Sequence, residues 1–494
     1  MKNISEYLKE ERKQEWRVNL RKSLKAKERT ARERGPMPEF DAKERSTNYE
    51  EVNLGLGKEQ ALLEASRCID CANPTCITGC PVGINIPKFV KKIESEDFLG
   101  AAIVLKETNA LPAVCGRVCP QEKQCELNCF YTISLNKPAV SIGNLERFAA
   151  DYERNSGQMA IPEIAEPNGI KVAIVGSGPA GLSAAGDMAK LGYDVTVFEA
   201  LHEIGGVLKY GIPEFRLPNE IVDVEIEVMR KMGIQFRTNF VVGRTASFDQ
   251  LRAQGFEAFF LGSGAGLPRF MNIPGENYNG IFSANEYLTR VNLMSAAHDD
   301  YDTPVFFGKN VAIIGGGNTA MDSVRTAKRL GAERAMIIYR RSREEMPARV
   351  EEVKHAMEEG IEFLNLNNPV EYFADENGHV NKMRLQKMEL GEPDKSGRRR
   401  PVAIPGSEYD VEVDLVVVAV GTSPNPLLAK VIPDMDVTPW GTFKVNEETM
   451  QTSVPDMFAG GDIVRGGATV ILAMGDGRKA AAGMHQYIQE KVNK

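Results

Sequence analysis

The sequence of 494 residues has no long hydrophobic run, and it contains no cysteine after position 129. The longest apolar run near the end of the chain, residues 415–420, is far shorter than the roughly 20 residues that a membrane span needs. The N-terminus also lacks the apolar core of a signal peptide. We therefore expect a cytoplasmic protein with no membrane association.

The sequence also lacks a net positive charge and has few histidines. The net charge of -8 argues against a nucleic-acid binder, because neutralising phosphates requires a basic surface. The five histidines show no metal-binding spacing. One segment, residues 9–34, is densely charged and has apolar residues at helical spacing, Trp16, Leu20 and Leu24. We interpret residues 1–40 as a solvated helical arm that packs on the body of the protein or on a partner.

All eight cysteines lie between positions 68 and 129, in the patterns C-x2-C-x4-C-x3-C-P and C-x3-C-P-x4-C-x3-C. A reducing cytoplasm disfavours disulfides. Structural zinc sites commonly use paired C-x2-C knuckles, and the second group has none. The bacterial ferredoxin pattern, C-x2-C-x2-C-x3-C-P, differs from the first group only in one gap. The spacing therefore favours two [4Fe-4S] clusters over zinc or disulfides.

The cysteine before proline in the ferredoxin pattern ligates the other cluster of a pair. By the same logic, the fourth cysteine of the first group is expected to ligate the second cluster. One cysteine of the second group, at residues 115–129, would then complete the first cluster. The predicted ligands of one cluster are Cys68, Cys71, Cys76 and Cys129, and those of the other include Cys80, Cys119 and Cys125. The eighth ligand stays open, with Cys115 as one candidate.

Residues 86–112, between the two cysteine groups, have apolar residues at a spacing of about 3.6, including Phe89, Ile93 and Ile103. This spacing predicts helix. Residues 41–160 are therefore expected to form a small helical iron-sulfur domain.

The next segment alternates strand and helix. A predicted strand, 172–175, leads into Gly176, Gly178 and Gly181 and then an alanine-rich helix, and a second strand ends at Glu199. In such a motif the glycines allow a tight turn, close approach of a pyrophosphate and close helix packing, while the acid accepts hydrogen bonds from a ribose. The strand, the helix and the acid together make this a strong dinucleotide-binding signal.

A second motif of the same kind follows at residues 311–341, where the second strand, 335–339, ends in two arginines instead of an acid. Guanidinium groups offer a planar set of donors to a 2'-phosphate, so this motif favours NADPH over NADH. The predicted contacts are Gly315, Gly317, Asn318, Ala320, Arg340 and Arg341.

Two such motifs, the first ending in an acid and the second in arginines, predict FAD in the first fold and NADPH in the second. Near the C-terminus, Gly461 and Asp462 follow a short predicted strand, and a helix is expected to begin near Thr469, aimed at the flavin ring. The predicted fold is α/β. A helical iron-sulfur domain precedes two Rossmann-like domains in a glutathione-reductase-like arrangement, with FAD bound by 165–300 and 426–494 and NADPH by 301–425.

The chain resembles the small (β) subunit of NADPH-dependent glutamate synthase from about residue 40 to the end. The resemblance is carried by the cysteine block and by VAIVGSGPAGLSAA, IGGVLKYGIPEFRLP, IIGGGNTAMDSVRTAKRLGA, YRRSREEMPA and MFAGGDIVRGGATVILAMGDGRKAA. It implies that NADPH reduces FAD and that two [4Fe-4S] clusters pass single electrons to an FMN-containing large subunit, which forms glutamate. The expected assembly is a hetero-oligomer, and no catalytic side chain is required.

The resemblance also implies further site residues. In this family the segment around Gly206 wraps the flavin. The iron-sulfur part is similar to the N-terminal domain of dihydropyrimidine dehydrogenase, in which a helix after the last cysteine supplies a cluster ligand; the matching position here is Glu146. We favour Glu146 over Cys115 as the eighth ligand.

The sequence is also compatible with two other functions. The first is a related NADPH-dependent ferredoxin reductase, with ferredoxin as the electron partner. The second is a redox-sensing or scaffold protein that binds dinucleotides without turnover and holds zinc on its cysteines.

Overall fold

The structure is a computed structural model that describes residues 4–298, 300–394 and 397–492. The first three residues of the predicted arm and the last two of the C-terminal segment lie outside the described residues.

The described residues form helices joined to parallel and antiparallel sheets. The helices are α1 (Ile4–Arg12), α2 (Glu15–Ser23), α3 (Ala26–Ala31), α4 (Ala42–Arg45), α5 (Lys58–Arg67), α6 (Thr75–Thr78), α7 (Ile86–Glu94), α8 (Phe98–Lys106), α9 (Pro112–Val118), α10 (Phe130–Leu135), α11 (Ile142–Ser156), α12 (Pro179–Lys190), α13 (Val207–Tyr210), α14 (Asn219–Lys231), α15 (Phe248–Ala253), α16 (Ala284–Asn292), α17 (Asn318–Arg329), α18 (Val350–Glu358), α19 (Leu427–Val431), α20 (Asp462–Arg465) and α21 (Val470–Val492). The strands are β1 (Lys171–Val175), β2 (Asp194–Phe198), β3 (Gln235–Arg237), β4 (Phe256–Leu261), β5 (Leu267–Pro268), β6 (Ile281–Ser283), β7 (Asn310–Ile314), β8 (Arg334–Tyr339), β9 (Glu362–Asn365), β10 (Asn367–Ala374), β11 (Val380–Pro393), β12 (Arg399–Ala403), β13 (Tyr409–Glu412), β14 (Leu415–Val418), β15 (Thr422–Ser423) and β16 (Met457–Ala459).

The cysteine-bearing part is helical, as the apolar spacing predicts, but residues 86–112 form separate helices. Glu96 adopts a left-handed backbone conformation after α7, and the Asp97 side chain then accepts a hydrogen bond from the Gly100 amide to begin α8. Because the helices change direction at this turn, Ile103 is about half exposed although its spacing predicts a buried position.

The first Rossmann-like unit has a parallel sheet, built among the described residues in the strand order β16-β4-β1-β2-β3. Its last strand, β16, comes from the C-terminal segment. The β-branched strand β1 is central, and its residues 172–175 are buried on both faces. Helices α12 and α21 pack together on one face of this sheet.

The second parallel sheet has the strand order β6-β14-β7-β8-β9 among the described residues. Strand β6 pairs with β14, so residues 281–283 belong to this sheet and the second unit begins before the predicted boundary at 301. An antiparallel sheet of β10 to β13 covers one side. The predicted α/β fold, with a helical N-terminal part and two parallel-sheet units, is confirmed.

The helical part and the first unit share one hydrophobic core. Buried residues of α7, α9 and α11 pack continuously with those of α12, α14 and α21. The cysteine-bearing helices are thus held rigidly against the first sheet. Within the three described ranges, every helix is too short or too polar to cross a bilayer.

Candidate functional site

Both glycine motifs open into one large cavity between the two sheets, with a volume of about 1550 Å³. Such a volume exceeds the roughly 300–1,000 Å³ of ordinary small-molecule pockets. The predicted nucleotide-binding residues that line it are Gly176, Gly178, Glu199, Gly206, Gly315, Gly317, Asn318, Arg340, Arg341, Gly461, Asp462 and Thr469. The structure therefore brings the two nucleotide motifs and the C-terminal motif together in one cavity.

The first glycine loop joins β1 to α12. Gly176 has a φ of +100°, and a Cβ atom there would lie 2.5 Å from the Gly262 carbonyl oxygen. Both the backbone conformation and this steric clash exclude a residue with a side chain. Gly181 lies within α12, away from the cavity, and a Cβ there would lie 2.0 Å from the Gly176 carbonyl oxygen. Gly178 borders the cavity at the helix start with open space beside it. Gly181 therefore serves packing, whereas Gly178 leaves room for a ligand.

Glu199 is buried at the end of β2 and organises this loop. Its Oε2 accepts hydrogen bonds from the Ser177 amide at 2.9 Å and the Ser177 hydroxyl at 2.6 Å, and its Oε1 accepts one from the Leu201 amide at 2.9 Å. These bonds fix the carboxylate at the cavity wall. The glycine pattern does not predict the contribution of Ser177, because serine occupies a variable position of the motif.

The C-terminal motif lies next to the start of α12, since a Cβ atom at Gly461 would be 3.1 Å from the Ala180 Cβ. The Gly461 amide donates to Oδ2 of Asp476 at 3.0 Å, and Arg465 donates to both carboxylate oxygens of Asp476. This arrangement places Asp462 and Thr469 at the cavity. Burial raises the pKa of Asp462 above its ordinary value. Helix α21 begins directly after Thr469, and its first turn faces the cavity.

The second glycine loop, between β7 and α17, has the same geometry. Gly315 and Gly317 border the cavity, whereas Ala320 is fully buried in the core beneath it. The Asn318 side-chain oxygen accepts a hydrogen bond from the Arg349 amide at 2.8 Å. Asn318 therefore ties the start of α17 to the loop that precedes α18.

The two arginines after β8 differ in their surroundings. Arg340 is exposed at the cavity rim. Arg341 is buried; it donates to the Arg399 carbonyl at 2.8 Å and to the Asp394 carboxylate at 2.7 Å. Arg341 therefore anchors the β11–β12 hairpin, which leaves Arg340 as the better placed of the two to meet a ligand.

The same hairpin brings Arg398 to the cavity wall. In the sequence, the run Arg398 to Arg400 resembles an anion site but favours a solvated hairpin tip. Arg399 and Arg400 are exposed, whereas Arg398 is partly buried and lines the cavity. The run itself does not indicate which of the three arginines reaches the cavity.

Four cysteines face one small apolar pocket, which is lined also by Ile86, Val90 and Tyr131. They are the predicted first set, Cys68, Cys71, Cys76 and Cys129. Burial, followed by the charges of Cys68 and Cys129, raises the pKa of Cys71 to about 12. Four thiols directed into one apolar pocket form the donor set that a [4Fe-4S] cluster requires.

A second set of donors lies deeper. Burial raises the pKa of Cys125, and the neighbouring charges of Glu126, Cys80 and Glu146 raise it further. A hydrogen bond with Cys115 raises the pKa of Cys119, as do burial and the charges of Glu146 and Cys125. Cys80, Cys119, Cys125 and Glu146 are therefore close enough to affect one another's ionisation, and Cys115 lies beside Cys119.

Glu146 and Cys115 meet through Asn109. The Asn109 side-chain amide donates a hydrogen bond to Oε1 of Glu146 at 2.7 Å. The side-chain oxygen of Asn109 accepts a hydrogen bond from the Leu111 amide and lies 3.6 Å from the Cys115 sulfur. Burial raises the pKa of Glu146 to about 8. Without a bound cation, burial therefore favours the neutral form of this carboxyl group.

The second donor site adjoins the nucleotide cavity. Cys119 lies between Val118 and Pro120, and both neighbours line the cavity. Gln124, from the same loop, donates to the Thr469 hydroxyl at 3.5 Å. Cys119 of the second set thus lies beside the wall of the nucleotide cavity.

Arg216 closes the interface between the two nucleotide units. It borders the cavity, and its Nη1 lies 2.7 Å from both carboxylate oxygens of Asp322, while its Nε is 3.1 Å from Glu352. Two carboxylates already engage this guanidinium group. Arg216 therefore joins the two units instead of offering its charge to a ligand phosphate.

Two families match the chain. The one described as dihydropyrimidine dehydrogenase domain II, 4Fe-4S cluster, matches residues 45–158. The one described as pyridine nucleotide-disulphide oxidoreductase matches residues 170–477. The boundary between them falls in the coil that separates α11 from β1.

Relatives extend over nearly the whole chain. The small chain of glutamate synthase [NADPH] from Azospirillum brasilense is 38% identical over 456 residues, covering 91% of this chain and 94% of its own. The NADP(+)-dependent formate dehydrogenase subunit beta of Moorella thermoacetica is 39% identical over 438 residues, covering 84% of this chain and 60% of its own. Among solved structures, Mycobacterium tuberculosis FprA in complex with NADPH is similar in fold, with a TM-score of 0.56 and 20% identity over 66% of this chain and 86% of FprA.

Proposed function

The chain belongs to the family of glutamate synthase small chains and is an oxidoreductase, and from this premise we propose that it is the NADPH-oxidising, electron-input subunit of a glutamate synthase. The observation that carries this proposal is that Val118 and Pro120, the chain neighbours of Cys119 in the second cysteine set, line the nucleotide cavity. A flavin accepts a hydride from a nicotinamide and releases electrons singly to iron-sulfur clusters, so it is the adaptor that such a path requires.

The residues of the first unit would hold FAD. Gly178 leaves space for the pyrophosphate, the Glu199 carboxylate faces the ribose, and the start of α21 beside Thr469 directs its partial positive charge at the ring. A Cβ atom at Gly206 would lie 2.9 Å from the Gly178 Cα, so the loop at 205–206 can close over the glycine turn only without a side chain. Residues 165–300 and 426–494 are proposed as the FAD-binding part, with 281–283 contributed to the second sheet.

The second unit would hold NADPH. Gly315, Gly317 and Asn318 shape the pyrophosphate site, and Arg340 is placed for the 2'-phosphate. Arg341 positions the hairpin that carries Arg398 to the same wall. The work of these side chains is binding and orientation. The hydride transfer itself requires no acid or base from the protein.

The two thiol-rich sites would hold two [4Fe-4S] clusters. The first is assigned Cys68, Cys71, Cys76 and Cys129, and the second Cys80, Cys119, Cys125 and Glu146. The eight cysteines are free, and a reducing cytoplasm would keep them available for iron. Residues 41–160 are proposed as the iron-sulfur domain.

The electron acceptor is proposed to be the FMN-containing large subunit, which reduces 2-iminoglutarate to glutamate. A second acceptor, ferredoxin or another electron carrier, is favoured by one observation: relatives at 37–39% identity carry other names, including the formate dehydrogenase subunit beta. We therefore propose a hetero-oligomer in either case.

Anaerobic mixing distinguishes the two acceptors. The NADPH-reduced protein is offered the glutamate synthase large subunit with 2-oxoglutarate and ammonia in one sample and ferredoxin in the other. The proposal predicts NADPH-dependent glutamate formation in the first sample at a rate far above ferredoxin reduction in the second. Ferredoxin reduction without glutamate formation would assign the chain to the alternative class. A colourless, zinc-containing protein that NADPH does not reduce would rule out both.

A further inference from the structure

The charged N-terminal arm, residues 9–34, has no part in the function proposed above, yet three of its arginines converge on one residue. In the carboxylate of Asp70, Oδ1 accepts a hydrogen bond from Arg17 at 2.5 Å and Oδ2 accepts one from Arg21. The backbone carbonyl of Asp70 receives Nε of Arg12 at 2.8 Å. The arm is therefore fastened to the body at Asp70.

Asp70 is unusual in two respects. Its side chain is completely buried, and its φ is +52°, in the left-handed region that non-glycine residues rarely adopt. It lies in the short loop between Cys68 and Cys71. A buried carboxylate requires paired cations, and a left-handed turn persists only where its surroundings hold it. The arm arginines meet both requirements.

A second set of cations holds the other end of this loop. Arg29, from the same arm, lies 3.4 Å from the Cys68 carbonyl oxygen and pairs with Glu94 at 2.7 Å. Lys91 of α7 donates to the same carbonyl and to Glu94. Five cationic side chains, opposed by the two carboxylates of Asp70 and Glu94, therefore surround the first two cysteines.

We propose that the arm is a clamp for the first cluster, formed by Arg12, Arg17 and Arg21 on Asp70. The clamp fixes the turn that directs the Cys68 and Cys71 sulfurs into one pocket, and its excess positive charge favours the reduced state of a cluster bound there. Net charge and hydrogen bonds to the ligand loop are known determinants of cluster potential. The inference rests on the proposed function, since it requires that a cluster is bound by these cysteines.

Neighbouring residues of the arm supply a matched test. Arg21→Gln removes one clamp contact, and its side chain is 20% exposed, so the rest of the fold is retained. Lys22→Gln removes the same charge from an exposed position next to it. Both holoenzymes are prepared anaerobically. The midpoint potential of each cluster is measured by redox titration with electron paramagnetic resonance, and the arm is probed with a glutamate-specific protease, whose sites neither substitution changes.

The clamp predicts that Arg21→Gln lowers the potential of one cluster and leaves the other unchanged. It also predicts that cleavage within the arm is about tenfold faster, because the arm opens more often. Lys22→Gln should leave both quantities at the wild-type values. A second variant, Asp70→Asn, keeps the shape but removes the buried charge, and should accelerate arm cleavage in the same way.

The possible failures are distinguishable. Wild-type protein without iron and acid-labile sulfide overturns the proposed function and the clamp's effect on a cluster together. Protein that carries both clusters, with equal potentials and equal cleavage rates in Arg21→Gln and Lys22→Gln, overturns the clamp and leaves the proposed function intact.

Discussion

The sulfur atom of Cys115 lies 3.5 Å from the sulfur of Met474. This contact joins α9 of the iron-sulfur part to α21, the helix whose first turn faces the nucleotide cavity. Cys115 is completely buried, and its sulfur also contacts the Asn109 side chain and the thiol of Cys119. The contacts of Cys115 are thus those of a small, polarisable packing residue, whereas Glu146 borders the second donor set with a carboxyl group.

We therefore predict that Cys115→Ala retains the iron and acid-labile sulfide of both clusters, because Glu146 is the proposed fourth ligand of the second cluster. Glu146→Ala should lose the second cluster or convert it to a form with fewer irons. Iron and sulfide analysis, with electron paramagnetic resonance of the reduced protein, measures both outcomes. Loss of a cluster in Cys115→Ala but not in Glu146→Ala would exchange the two assignments.

Arg340→Ala should raise the Kd for NADPH by roughly tenfold or more and leave that for NADH nearly unchanged, because a charge-assisted bond to the 2'-phosphate is lost. Binding is measured by titration of the oxidised protein with each nucleotide. Arg334, at the opposite end of β8, pairs with Glu362 on the surface, so Arg334→Ala is the control and should affect neither nucleotide. An equal loss for both nucleotides in Arg340→Ala would remove its assignment to the phosphate.

Glu199→Gln should weaken flavin retention by about tenfold, because an amide cannot accept hydrogen bonds from both Ser177 and Leu201 with the strength of a carboxylate. The measurement is flavin release on dilution, followed by fluorescence. Glu257→Gln, on the exposed surface of the same sheet, is the control. Unchanged release from Glu199→Gln would show that the carboxylate does not shape the site.

The ion pairs around Glu359 predict a pH dependence of stability. Burial raises the pKa of Glu359, but the charge of Arg325 and hydrogen bonds from Arg329 and Arg325 outweigh it, so that the pKa falls from an ordinary 4.5 to about 2. A carboxylate with a depressed pKa stabilises the fold fully above its unfolded value and loses that contribution as pH falls towards the folded value. Thermal unfolding should therefore begin to shift downward below about pH 4.5, and the loss should continue towards pH 2.

Arg325→Met tests this network directly. It should destabilise the fold by about 3 kcal/mol at neutral pH, because it removes the buried guanidinium group that pairs with both Glu352 and Glu359 and leaves Glu352 with Arg216 and Glu359 with Arg329 and Arg45. Arg334→Met, which breaks an exposed pair with Glu362, should cost about 1 kcal/mol or less. Denaturant unfolding of the two variants gives the comparison. Equal effects would mean that the buried network contributes no more than a surface pair.

The sequence predicts most of the site because its motifs are local. The strand, glycine turn and helix at 172–190 depend on residues that are close in sequence. The cysteine pattern from Cys68 to Cys80 is also contained in one short segment. The shared cavity is also foreseeable, since two parallel-sheet units joined in this order face each other.

Other features depend on contacts between distant segments, which no local pattern encodes. Arg340 and Arg341 are adjacent and alike in sequence, but only the pairing of Arg341 with the β11–β12 hairpin shows that their roles differ. Strand β6 precedes the predicted domain boundary and nevertheless joins the second sheet. The arm's convergence on Asp70 links residues about fifty positions apart, and its physical basis, burial of a carboxylate, appears only in the folded protein.

We propose that electrons enter at the second nucleotide unit and leave through the first cysteine set. The decisive experiment is stopped-flow mixing of Cys76→Ala holoenzyme with NADPH in the presence of the large subunit. We expect flavin bleaching at the wild-type rate and no electron delivery to the large subunit. Delivery at the wild-type rate, despite loss of the first cluster, would contradict it.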